Sequence, residues 1–131
     1  MTKKIHIKEP IDPDKLLIEK GDSFPRAYIV ELPLVSTPSD LWKTIFLDEW
    51  KMSLYPLKRM ITIVGRRLRI LTTPDEIEGK IMWVKQLVDL TNRRVEEYAK
   101  EIKKKEEKEE EVIKQMRERL KRGLSKLESQ I

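Results

Sequence analysis

Few residues in this chain could do acid–base or nucleophilic chemistry. Among 131 residues there is one histidine, His6, and no cysteine. The lack of cysteine excludes a disulfide framework, a thiolate nucleophile and a thiolate metal site. His6 sits in the alternating run Lys4-Ile5-His6-Ile7-Lys8, which reads as a short edge strand with the histidine on its solvent side. No glycine-rich phosphate loop, H-E-x-x-H pattern or nucleophile elbow is present. Asp48 and Glu49, set between Phe46 and Trp50, are the least ordinary carboxylates. A catalytic carboxylate needs a convergent base, metal or nucleophile, and none accompanies this pair in the sequence. The expectation is a protein that is not an enzyme, with no cofactor and no metal.

Charge offers a second kind of chemistry. The net charge is +5, with 28 basic and 23 acidic side chains, and it is unevenly placed. Lys58, Arg59, Arg66, Arg67 and Arg69 fall within residues 58–73, which hold no acid. They form a candidate site for a polyanion such as DNA or RNA, since clustered cations supply non-specific affinity through counterion release. A second basic run, with Arg117, Arg119, Lys121 and Arg122, lies near the C-terminus. Neither run is interleaved with the aromatic residues that base stacking requires.

The third feature is apolar. Val95, Tyr98 and Ile102 form a narrow stripe at helical spacing. Residues 103–111 are all charged, and Val112, Ile113, Met116 and Leu120 then restore an apolar side. These seven residues are candidate helix-pairing positions. The four-residue steps from Val112 to Met116 to Leu120 break a strict heptad, as a stutter would.

These groups must be positioned by a small set of elements. Thr73 to Arg122 reads as one helix of about 70 Å at ~1.5 Å per residue. Thr73 is the expected N-cap, with Pro74 at the first helical position and Glu76 completing a capping box. Gly123 is the expected stop, with Ser125 to Ile131 as one last capped turn. Gly65-Arg66 between two alternating runs specifies a hairpin over 59–73. Its register pairs Val64 with Arg67, Ile63 with Leu68, Thr62 with Arg69 and Ile61 with Ile70, giving one apolar and one basic face. Arg26 to Leu34 reads as a strand, with Glu31 on the basic face. A helix capped by Thr37-Pro38 runs to about Met52, with Trp42, Phe46 and Trp50 as a core stripe. Asp12-Pro13 to Gly21 reads as a short helix anchored by Leu16, Leu17 and Ile18.

The order strand, helix, strand, strand, long helix specifies an α+β fold. It has a small sheet of three or four strands with a split β-α-β-β unit, the third strand of the unit lying between the first two. The helices cover one face, and the long C-terminal helix is expected to project from the domain. The expected division is a single domain over 1–102, including the first half of the long helix, and a charged helical arm over 103–131 with its short apolar seam. The functional expectation is an interaction or assembly module that uses the long helix for self-association, as a dimer, or for pairing with another helical protein. One antiparallel copy would cover both the stripe and the terminal seam. The alternative is DNA or RNA binding through the basic hairpin. No apolar run reaches the ~20 residues of a membrane span and the N-terminus lacks a signal-peptide core, so the expected location is cytoplasmic. Abundant Lys, Glu, Ile and Arg with one asparagine, Asn92, give a thermophile-like composition.

Overall fold

The structure, a computed structural model, describes residues 4–56 and 58–129. The chain divides into two compact units, Met1–Val95 and Glu96–Ile131.

The first unit is α+β. Its sheet comprises β1 (Leu17–Lys20), β2 (Tyr28–Pro33), β3 (Ile61–Val64) and β4 (Arg67–Thr72), and α1 spans Asp40–Met52. The sheet order is β1-β2-β4-β3, with every neighbouring pair antiparallel. Strand β4 therefore lies between β2 and β3, as the split unit requires. The hairpin register is the expected one, from Val64↔Arg67 to Ile61↔Ile70. Gly65 makes the turn with φ of 57°, a left-handed conformation that a Cβ would disfavour.

The core lies on one side of this sheet. Leu32, Ile61, Leu68 and Ile70 bury against Trp42, Ile45 and Phe46 of α1. Trp83, Val84, Leu87, Val88 and Val95 of the long helix α2 (Ile77–Ser129) join them. The aromatic stripe of α1 is thus structural. Trp42 and Phe46 stack at 5.0 Å, and the half-buried Trp50 donates its Nε1 hydrogen to the Arg59 carbonyl at 2.9 Å.

Four local expectations are corrected. Residues 12–21 do not form an α-helix. Asp12 caps a single 3₁₀ turn, Pro13–Lys15, and the chain then enters β1. The short apolar run Leu16-Leu17-Ile18 has no helical period to hold it, and the free edge of β2 offers ladder hydrogen bonds instead. Residues 4–8 form only one isolated bridge, Ile7↔Leu34, while Ile5 and Ile7 still alternate into the core. The cap of α1 is Ser39, whose Oγ accepts from the Trp42 amide, two residues after Thr37. Finally, α2 begins at Ile77 after a turn over Pro74–Glu76, and the buried Thr73 hydroxyl caps nothing. Glu76 is drawn from the capping role by two cations, Arg59 and Lys80. Charge-assisted bonds of that kind outweigh one to a neutral amide.

The second unit is helical. The helix α2 continues through Gly123 to Ser129, so the expected stop there is absent. Gly123 does not take positive φ. A lone glycine costs only about 1 kcal/mol in a helix, and strong helix formers lie on both sides. Of the expected last turn, Gln130 and Ile131 lie outside the described residues. Among the described residues, no helix is long and apolar enough to cross a membrane.

Candidate interaction surfaces

The sequence brings all five basic residues of the hairpin region close together, and the fold gives each of them a partner. On the face of the sheet away from the core, Glu31 stands between two arginines. Arg67 donates to Glu31 Oε2 at 3.0 Å, and Arg69 donates to its other oxygen. Arg69 also reaches Glu19 of β1 at 2.7 Å. The cause is register: Glu31 faces Arg69 across β2 and β4, with Arg67 diagonal to it. These arginines cover the carboxylate so well that Glu31 is only 5% exposed. Hydrogen bonds to Glu19 and Glu31 raise the Arg69 pKa above its already high ordinary value. Two cations and two carboxylates leave this cluster formally neutral.

The remaining cations are engaged as well. Arg59 holds Glu76 with Nε at 3.1 Å and Nη2 at 3.3 Å, and lies over the Phe24 ring. Arg66 donates to the Val35 carbonyl at 3.3 Å. Lys58 donates to the Lys51 carbonyl at 3.0 Å and lies over the Trp50 ring. Arg59, Arg67 and Arg69 are thus charge-paired, which weakens their attraction for a phosphate, whereas Lys58 and Arg66 donate to neutral carbonyls and keep their charge.

The carboxylates singled out from the sequence have a structural partner. Arg94 Nη1 donates to Asp48 at 2.8 Å and to Glu49 at 3.0 Å, tying α1 to α2 within the first unit. His6 is exposed. Among the described residues, no group of three or more His, Asp or Glu side chains is placed to hold a metal ion.

The apolar candidates divide between the units. Val95 is part of the first unit's core at 3% exposure and is not available to a partner. The others lie in the second unit and are exposed: Tyr98, Ile102, Val112, Ile113, Met116 and Leu120. Because α2 does not stop at Gly123, Leu124 and Leu127 extend the seam, and both are also exposed. The sequence reading missed these two because it ended the helix too early.

Two further groups were not legible. Lys80 is fully buried, with its ammonium 2.9 Å from Glu76. Burial pushes its pKa down, opposed by the hydrogen bond to Glu76. Asn92 is buried where the N-terminal segment meets α1 and α2, with bonds to the Ile5 backbone and to Trp42. Each reads as an ordinary polar residue in a charged helix, and only the packing around it gives it a role.

No family model matches this chain, and neither does any curated protein or solved structure.

Proposed function

We propose that this protein is a non-catalytic assembly module that pairs the helix of its second unit with another helix, self-association being the primary mode. One observation carries this reading. From Tyr98 to Leu127 every large apolar side chain is at least 39% exposed, on a stretch that is otherwise strongly charged. Helices in proteins gain most of their stability from packing an apolar face, and a seam of this length gains it only when something covers it. The charged run 103–111 keeps the helix soluble until then, helped by Glu–Lys neighbours such as Glu101 with Lys105, each worth ~0.2–0.5 kcal/mol. The first unit supports the reading by contrast, since Arg59, Arg67 and Arg69 of the hairpin and the carboxylates Asp48 and Glu49 pair with opposite charges inside it.

Charge placed in the seam tests this. The double variant Met116→Glu, Leu120→Glu should elute from a sizing column at the monomer position where the wild type elutes as a larger species. The first unit should melt at an unchanged temperature, because neither residue belongs to its core. Identical elution of the two proteins at every concentration would count against pairing through this seam. The hairpin reading is tested on the same column by adding a short duplex DNA or RNA at low salt, where co-elution would favour it.

A further inference from the structure

The seam's geometry says more about its partner. At ~100° per residue, Tyr98, Ile102, Ile113, Met116, Leu120, Leu124 and Leu127 fall within about 40° of one line along the helix. Their mean spacing stays close to 3.6, so the stripe runs straight along the helix where a strict heptad would wind around it. Between Ile102 and Ile113 the same line is occupied by Glu106 and Glu109. The stripe is therefore apolar at both ends and acidic in the middle, and its last part is flanked by cations.

We propose that the occupant of this stripe is a second copy of the chain, lying antiparallel with the two-fold centre of the pair at Glu111. This rests on the helix-pairing reading above and adds partner, direction and register. In that register Ile102 faces Leu120 of the second copy and Tyr98 faces Leu124, and the two-fold axis repeats both contacts. The acidic middle is matched too. Glu106 and Glu109 face Met116 and Ile113 of the second copy, where Arg117 flanks the seam. Antiparallel helices bring like flanks together, which sets Glu106 beside Arg117 and Glu101 beside Arg119 of the second copy. Lys103 beside Lys121 and Lys105 beside Arg119 are the exceptions.

The competing registers fit less well. Centring on Leu120 would match Ile113 with Leu127 and Met116 with Leu124. It would also appose two stretches, 112–127, that each carry six cations and a single acid, Glu118. A parallel pair would align the seams but set each run of like charge next to its own copy. Like charges so placed disfavour a pairing that opposite charges would favour.

The chain has no cysteine, so disulfide trapping reads the register directly. Full-length Ile102→Cys and Leu120→Cys are oxidised separately and as an equal mixture, beside a mass measurement on each. The expected result is a covalent dimer in the mixture alone. Residues 102 and 120 of one helix are about 27 Å apart along the axis, so neither variant meets its own cysteine in this register. A covalent dimer of Leu120→Cys alone would place the centre at residue 120, and covalent dimers of both variants alone would make the pair parallel. Either result overturns the register and leaves the pairing standing. A dimeric mass with no cross-link in any sample overturns the register as well. The same trial with Glu106→Cys and Arg117→Cys, which meet on one flank of the seam in this register, leaves the apolar side chains intact, so loss of pairing through the substitutions cannot hide the answer. Wild-type protein that stays monomeric at the same concentration overturns both register and pairing.

Discussion

Replacing Glu76 with glutamine is expected to cost about 3–5 kcal/mol of folding stability at neutral pH, the range for breaking a buried ion pair by removing one member. Glu76 accepts from Arg59 and from Lys80, whose side chain has no solvent exposure. Without the carboxylate the Lys80 ammonium stays buried with no counter-charge. Removing the cation should be far milder. Lys80→Met keeps the aliphatic volume, and Glu76 retains Arg59, so the change should lie well below that of Glu76→Gln. The same triad makes a pH prediction. Hydrogen bonds from Arg59 first, then Lys80, lower the Glu76 pKa from 4.5 to about 2. A carboxylate whose folded pKa is depressed stabilises the fold above its unfolded pKa, and that stability is lost as pH falls through the folded value. The stability gap between wild type and Glu76→Gln should therefore be full above about pH 5 and shrink steadily towards pH 2. Denaturant unfolding across that range measures it. A gap that is constant with pH would show that Glu76 is not the group titrating.

The second large effect is expected at Asn92. Its Oδ1 accepts from the Ile5 amide at 3.0 Å and from Trp42 Nε1 at 2.9 Å, and its Nδ2 donates to the Ile5 carbonyl at 2.7 Å. Truncation to alanine leaves three polar groups without partners, each worth ~1–3 kcal/mol when buried. The Ile5 backbone can recover its bonds by peeling into water, whereas the Trp42 indole, 1% exposed, cannot. A loss of about 3–5 kcal/mol is expected, with the N-terminal segment released ahead of global unfolding. Asn92→Asp should be costly too, since a carboxylate keeps the acceptor but sets an anion against the Ile5 carbonyl. Hydrogen exchange at the Ile5 amide, read beside the unfolding curve, separates local release from global loss. An Ile5 amide still protected in Asn92→Ala would refute the clamp.

How far the sequence speaks depends on the range of the interaction that decides each element. The hairpin is fully legible because two-residue alternation and one turn glycine fix every pairing from Ile61↔Ile70 to Val64↔Arg67. The position of Glu31 follows from the same parity, and two arginines sit on its face. The order of β2, β4 and β3 follows from chirality and short connections. Strand β1 was not legible, because Leu16-Leu17-Ile18 becomes a strand only when the edge of β2 is there to receive it. Gly123 shows the limit of local stop signals, since a single glycine penalty is small against the helix formers around it. Among the candidate sites, the exposed seam was legible as an apolar pattern interrupted by charge. The partners of Lys58, Arg59 and Arg66, and the second partner of Arg69, were not, because Glu19, Glu76 and the carbonyls of Val35 and Lys51 come from distant parts of the chain. Asn92 and Lys80 gave no signal, because their roles exist only once the core has closed around them.

The most direct test of helix-mediated assembly is the molar mass of the full-length protein by light scattering, from low to high micromolar concentration, after nucleic acid has been removed. The expected result is a mass that rises to twice that of the chain and stays there. A single-chain mass up to high micromolar concentration would contradict self-association through the second unit.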